Sequence, residues 1–168
     1  LLNEGVYFSL DSCKTWHSRS NGLPNNPSIK SLSVRANCIL GVTASNEIYL
    51  TTDFGGNWNE VTNGLPVTLS DPVVKYHSSG IAFLASGRNI YRSPDFGVTW
   101  FLNFTVPQGV RILSLSFDTN SVLYAGCDNG FVYKSGYTMI PVELVSFNST
   151  YSNNIVSLLW STATELNN

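Results

Sequence analysis

Three stretches of this chain superpose without a gap: GVYFSLDSCKTW at 5–16, EIYLTTDFGGNW at 47–58 and NIYRSPDFGVTW at 89–100. Asp11, Asp53 and Asp95 follow one another at a step of 42 residues (53 − 11 and 95 − 53), and the tyrosines Tyr7, Tyr49 and Tyr91 and the tryptophans Trp16, Trp58 and Trp100 keep the same step. The tyrosine series continues to Tyr133 in FVYKSG, and NGLP at 21–24 recurs at 63–66. The runs IKSLSV, VVKYH and ILSLSF each precede a second apolar run. A period held at so many positions describes an array of one supersecondary unit, in which each copy buries its faces on its neighbours.

Within the unit, apolar alternation in Ile48-Tyr49-Leu50 and Ile90-Tyr91-Arg92 predicts a strand with one buried face, and the following Asp-Phe-Gly turns the chain. Asp53 and Asp95 are expected to accept hydrogen bonds from backbone N–H groups two or three residues on, as in Asx turns. Gly55 and Gly97 supply the positive φ that other residues resist. Trp58 and Trp100 open the next strand, where a large ring fills a wedge between units. An aspartate present in every unit cannot form one asymmetric active site. Asp11, Asp53 and Asp95, with Trp16, Trp58, Trp100, Gly55 and Gly97, are therefore read as structural.

Each unit accommodates four short strands. The first full unit is expected at 29–35, 37–44, 46–52 and 57–62, and the second at 72–77, 81–86, 88–93 and 99–104. Two strands of an earlier unit fall within 4–18, and three of a later one near 111–117, 121–126 and 130–135.

The twelve-residue stretch resembles the Asp-box, or BNR, repeat, Ser/Thr-x-Asp-x-Gly-x-Thr-Trp. The second and third copies fit it well. The first carries Cys13 in place of the glycine, which predicts a distorted turn, and the fourth keeps Ser135 without the Asp or the Trp. The family's repeats occur mainly in β-propellers: sialidases, xyloglucanase-type glycosidases, sortilin-like receptors and photosystem assembly factors. The resemblance implies an all-β fold, a partial β-propeller of about three to four four-stranded blades, and leaves activity open.

About 137 residues at 42 per repeat fill roughly 3.3 blades, and closed propellers usually have four to eight. The expectation is an arc belonging to a larger propeller, whose open ends need the rest of the chain or another copy. The only Met is Met139 and residues 1–8 lack a leader pattern, which fits a fragment. After residue 137 the repeat ends. Residues 138–168 hold two alternating strand patterns, Val142 to Phe147 and Ile155 to Ser161, joined by a polar turn. With PVELVSF at 141–147 and Trp160 to Glu165, this segment resembles the start of the fibronectin-III-like module near the C-terminus of secreted Bacteroidetes and Ignavibacteria-type proteins. In that family the module precedes a type IX secretion tail, so the resemblance implies an extracellular or cell-surface location.

Composition narrows the partners. Nine Lys plus Arg against eleven Asp plus Glu, with no basic run, excludes nucleic acid, and no stretch of about 18 apolar residues is present to insert into a membrane. Cys13, Cys38 and Cys127 have no paired spacing and read as isolated thiols; neither metal nor cofactor is expected. The sequons at Asn103 and Asn148 are short patterns of little weight.

Propellers bind ligands where the second-to-third-strand loops and the blade-to-blade loops gather. The charged candidates there are Arg19, Asp71, Arg88, Arg111 and Asp128, with Glu47 among the loop residues. Two functions remain open. One is a non-catalytic binding or scaffold module for a protein or carbohydrate ligand. The other is a glycosidase, sialidase-like or xyloglucanase-like, for which no catalytic residue is assigned and Asp71 and Asp128 are the carboxylates to consider. A photosystem-assembly-factor type is disfavoured by the C-terminal segment. His77 ends an inner-strand run and is read as a structural histidine, with the channel as its alternative.

Overall fold

A computed structural model of the chain describes residues 5–25 and 27–135, and the backbone of 144–152 and 155–162. The chain divides into two compact units, residues 1–136 and 137–168. Among the described residues the first unit is built from strands alone. β1 (Tyr7–Phe8) pairs with β2 (His17–Ser18). A four-stranded antiparallel meander follows, β3 (Ile29–Arg35), β4 (Cys38–Thr43), β5 (Ile48–Thr51) and β6 (Asn59–Glu60). The next has the same order: β7 (Val73–Tyr76), β8 (Ala82–Ser86), β9 (Asn89–Ser93) and β10 (Phe101–Thr105). β11 (Ile112–Phe117), β12 (Leu123–Cys127) and β13 (Val132–Lys134) form a three-stranded sheet. The expected strands are present; β3 has the expected bounds, the others start or end one or two residues away from them, and β6 is the most shortened.

In the second unit, β14 (Leu144–Ser152) pairs with β15 (Ile155–Thr162) in one long hairpin. Pro141, Val142 and Glu165, quoted above for the family resemblance, lie outside the described residues.

Strand composition follows position in the sheet. β4 and β8 run CILGVT and AFLAS with scarcely an exposed side chain, because a second strand has hydrogen-bonded neighbours on both edges and protein on both faces. The first strands of successive sheets lie side by side, β3 by β7 and β7 by β11. Polar bonds fix successive sheets to one another: Tyr76 N–H donates to Ser33 Oγ (2.8 Å), Arg35 Nε to the Ser78 carbonyl (2.8 Å) and Ile112 N–H to the carbonyl of Gly87 in the β8–β9 turn (2.8 Å).

The three aspartate turns share one geometry. Asp53 Oδ1 accepts from Thr51 Oγ1 (2.7 Å) and Asn57 N–H (2.8 Å), while Thr51 Oγ1 accepts from Gly55 N–H (3.0 Å). In the next sheet Asp95 accepts from Ser93 Oγ (2.7 Å), Thr99 N–H (2.9 Å) and Thr99 Oγ1 (2.6 Å), and Ser93 Oγ accepts from Gly97 N–H (2.7 Å). The main backbone donor therefore lies four residues on, one or two further than an Asx turn reaches, because two residues with positive φ, Phe54 with Gly55 and Phe96 with Gly97, lengthen the loop. The first copy is not distorted. Ser12 (φ 59°) and Cys13 (φ 68°) take the same pair of left-handed positions, with Cys13 N–H bonded to Ser9 Oγ (2.9 Å) and Thr15 N–H to Asp11 Oδ1 (2.9 Å). The fixed hydrogen bonds offset the strain that a side chain adds at a glycine's position.

Each turn delivers a tryptophan to the preceding sheet. Trp100 is 2% exposed and packs in one cluster with Leu40, Val42, Ile48 and Leu50 of the sheet before its own; an added Cβ on Gly97 would meet Leu40 Cδ2 at 2.8 Å. Trp58, 3% exposed, packs with Val6, Tyr49 and Leu23 and donates from Nε1 to the Arg19 carbonyl (2.8 Å). The repeated Asn-Gly-Leu-Pro closes the same joint. The Asn21 carbonyl accepts from Trp58 N–H (2.9 Å) and the Asn63 carbonyl from Trp100 N–H (3.0 Å). A Cβ on Gly64 would stand 1.9 Å from the Trp100 carbonyl oxygen, so only glycine permits this approach. Trp16 occupies the corresponding place with no preceding sheet among the described residues, and 56% of it is exposed.

Two predictions follow from this joint and its turns. Trp100→Ala should cost about 3–5 kcal/mol and Trp16→Ala under about 1 kcal/mol in urea unfolding; equal losses would refute the packing account. The hydrogen bonds hold the Asp11 and Asp53 carboxyls down at about 2, against an ordinary 3.8. For Asp53 the largest cause is the Thr51 hydroxyl, and for Asp11 the Thr15 N–H. A depressed folded pKa means stability that is complete above the unfolded carboxylate range and is lost as pH falls through about 2. Asp53→Asn should flatten the decline of Tm between pH 4 and 2, and an unchanged slope would count against the assignment.

Candidate functional site

In an antiparallel meander the first-to-second and third-to-fourth connections share one end of the sheet, and the second-to-third and sheet-to-sheet connections share the other. The aspartate turns are third-to-fourth connections. The opposite end carries the 44–47, 87–88 and 128–130 turns and the loops 19–28, 61–72 and 106–111. All five predicted site residues belong to this second end, but only three come together.

Arg111, just before β11, donates from Nε to Asp128 Oδ2 (2.9 Å), and its N–H donates to Asp128 Oδ1 (2.9 Å). Its Nη1 stands 3.8 Å from Asp71 Oδ2, and Asp71 Oδ1 stands 3.8 Å from Lys30 Nζ. Lys30, Asp71, Arg111 and Asp128 thus form an ion chain across three consecutive sheets, alternating in sign. Asp71 reaches it with φ at 44°, in front of the buried Pro72. The Arg111 N–H, followed by its guanidinium, holds the Asp128 carboxyl below the usual range. Asp71 and Asp128 share one guanidinium, Asp71 near Nη1 and Asp128 at Nε.

Arg19 and Arg88 stand apart. The Arg19 guanidinium lies over the Phe8 ring, 4.4 Å from its centroid, and its carbonyl anchors Trp58, so it serves the sheet joint. Arg88 is exposed in the β8–β9 turn, where its carbonyl accepts from Val106 N–H (2.8 Å). His77 lies at the aspartate-turn end. It is buried against Phe117, with ring centroids 4.9 Å apart, and Ser79 N–H donates to its Nδ1 (3.1 Å). Burial, then the nearby Arg35, lowers its pKa.

Beside the ion chain lies a cleft of about 330 Å³ between the β4–β5 turn, β6 and the loop that follows. Its walls include Ile48, Val61, Leu65 and Leu69, and its ionisable lining residues are Glu47 and Glu60. Tyr49 is opposite Glu60 in the β5–β6 ladder, and burial, followed by Glu47 and Glu60, pushes its phenol up. Glu60 and Lys30 went unremarked in the sequence because each sits inside a strand pattern. The signal that would have found them is failure to recur: 42 residues away from Glu60 stand Ser18 and Leu102, and from Lys30, Pro72.

No protein-family model matches the chain, and no curated protein matches it. Solved structures do. The fold is similar to that of YCF48 bound to D1 peptide, with 21% identity and a TM-score of 0.59 over 86% of this chain and 53% of that one. It is similar to YCF48 from Cyanidioschyzon merolae, with 14% identity and a TM-score of 0.56 over 90% and 62%. The GH74 xyloglucanase from Xanthomonas campestris gives 20% identity and a TM-score of 0.55 over 80% and 20%. The fold is that of a partial β-propeller. It spans about half to three-fifths of the YCF48 chains, and its four-stranded sheets are blades.

The ion chain is exposed, so it contributes little to stability. Arg111→Gln should leave Tm within a few degrees of the parent while moving the Asp128 carboxyl part of the way back up, read by carbon-detected NMR titration. An Asp128 pKa that did not move would show that the guanidinium does not hold it.

Proposed function

We propose that the chain is a non-catalytic propeller module of a secreted or cell-surface protein, and that it binds a protein segment on the loop end of its blades. The observation that carries this reading is the division between the two ends. The aspartates that recur every 42 residues are spent on turns, whereas Lys30, Asp71, Arg111, Asp128, Glu47 and Glu60, which do not recur, lie in or beside one cleft at the other end. Asymmetry within a repeat is what a specific ligand requires and what the fold does not. Support comes from a similar propeller whose structure was solved with a D1 peptide bound. The Asp-box resemblance fits the turn geometry, and the resemblance of 138–168 to a fibronectin-III-like secretion-linked module supports export.

The glycosidase alternative has a similar xyloglucanase in its favour as far as fold goes. It needs two carboxyls flanking a scissile bond, one of them with a raised pKa to act as the acid. Asp128 is held low, which does not suit the acid, and its carboxylate is already engaged by Arg111, which also approaches Asp71.

An immobilised peptide array probed with the chain tests the proposal, with release of reducing sugar from xyloglucan and of sialic acid from sialyllactose measured alongside. Selective peptide binding that is weakened by Arg111→Glu, with no sugar released, is the expected result. Hydrolysis of either glycan would replace this reading with the enzyme. Protease shaving of intact source cells should remove the protein, and its persistence would remove the surface assignment.

A further inference from the structure

We propose that the cleft beside β6 takes a lysine or arginine side chain from an extended segment of the protein partner, with Glu47 and Glu60 as its counterions. This inference rests on the binding-module reading and adds the chemistry of the ligand. Four observations carry it.

The first is charge. Glu47 and Glu60 are the ionisable residues lining the cleft, and neither forms an ion pair among the described residues. Glu47 Oε2 accepts only the Thr43 hydroxyl, at 3.2 Å, among the described bonds. Lys30 stands at the margin, donating to Asn46 Oδ1, but its charge is met by Asp71 at 3.8 Å. An incoming cation would find two carboxylates without cationic partners, and an incoming anion would be repelled by both.

The second is shape. The volume of about 330 Å³ is at the small end for ligand pockets, which run from about 300 to 1,000 Å³. One long side chain with its backbone suits such a space better than a large rigid ligand. The third is the lining: Ile48, Val61, Leu65 and Leu69 are apolar, and Val67 at the rim is fully exposed. These hydrocarbon patches, set among the polar Ser45, Asn46, Thr62 and Thr68 and the two carboxylates, match the alkyl stem and charged head of lysine or arginine. The fourth is that the pair belongs to one blade. The places of Glu47 are taken by Gly5 and Asn89 in the neighbouring repeats, and those of Glu60 by Ser18 and Leu102. Because the next blade forms the same four-stranded sheet without these carboxylates, the fold does not demand them.

The test uses pools of acetylated, amidated nonapeptides with randomised flanks and a fixed central residue, either lysine, arginine, norleucine or glutamate, on an array probed with the whole chain. The lysine and arginine pools should retain the chain about tenfold better than the norleucine pool. That preference should vanish for the Glu47→Gln/Glu60→Gln double variant and shrink at high salt. Both glutamates are at least partly exposed, and an unchanged Tm confirms that the double variant is folded; the exposed Glu60→Gln alone serves if it is not. Pools retained equally whatever the central residue, and equally by the variant, would overturn the inference and leave the binding module standing. Preference for the glutamate pool would also overturn it, pointing to Lys30 and Arg111. Retention of no pool would overturn both readings.

Discussion

A four-stranded blade is too thin to bury anything by itself, and everything else in this chain depends on how one blade is seated on the one before it. The seat is made from Trp100, buried among Leu40, Val42, Ile48 and Leu50 of the preceding blade. The backbone bond from Trp100 N–H to the Asn63 carbonyl fixes its height, and Gly64 and Gly97 supply the close approach that any side chain would block. The aspartate is subordinate to that seat. It does not touch the neighbouring blade through its carboxylate. It locks a turn with two left-handed residues, so that the tryptophan five positions on arrives in the same place every time. A structural motif repeated in this way is conservative in a physical sense: changing Ser93, Asp95 or Gly97 displaces the ring that holds two blades together.

Because the joint occupies the third-to-fourth-strand turns and the starts of the outer strands, the opposite loops are free of it, apart from the Asn-Gly segments and the Arg19 carbonyl. This is why variation in charge accumulates there. The period accounts for why Asp53 and Asp95 resemble each other. It has nothing to say about why Asp71 follows Ser70, or why Glu60 stands where the next blade has Leu102.

That distinction also explains what was legible in the sequence. The fold was readable because its determinants are local and repeated: strand alternation, a turn with glycine, and a tryptophan at a fixed offset, visible three times over. The bearing of Asn-Gly-Leu-Pro was not readable, although its recurrence was, since its partner Trp100 stands just before the next blade's outer strand, 37 residues beyond Asn63. Of the five charges nominated for the loop end, Asp71, Arg111 and Asp128 converge. Arg19 does not, because Phe8 across the β1–β2 pair captures its guanidinium. Cys13 shows a further limit of reading by pattern. Loss of the glycine suggested a distorted turn, but the Ser9 hydroxyl and Asp11 carboxylate supply enough hydrogen bonds to keep a side-chain-bearing residue at positive φ.

The ion chain and the cleft acquire meaning from each other. Lys30 and Arg111 are matched one for one by Asp71 and Asp128, so the chain across the three blades is locally neutral. Exposed pairs of this kind add little to stability, and a Coulomb attraction between opposite charges at 3.8 Å is largely screened by water. Their neutrality has another effect. With those two cations already partnered, Glu47 and Glu60 supply the unbalanced charge in the cleft next to them. A neutral frame beside an acidic cleft gives a short-range field of one sign at one place on the blade array, without making the whole chain, at a net charge of −2, a sticky polyanion.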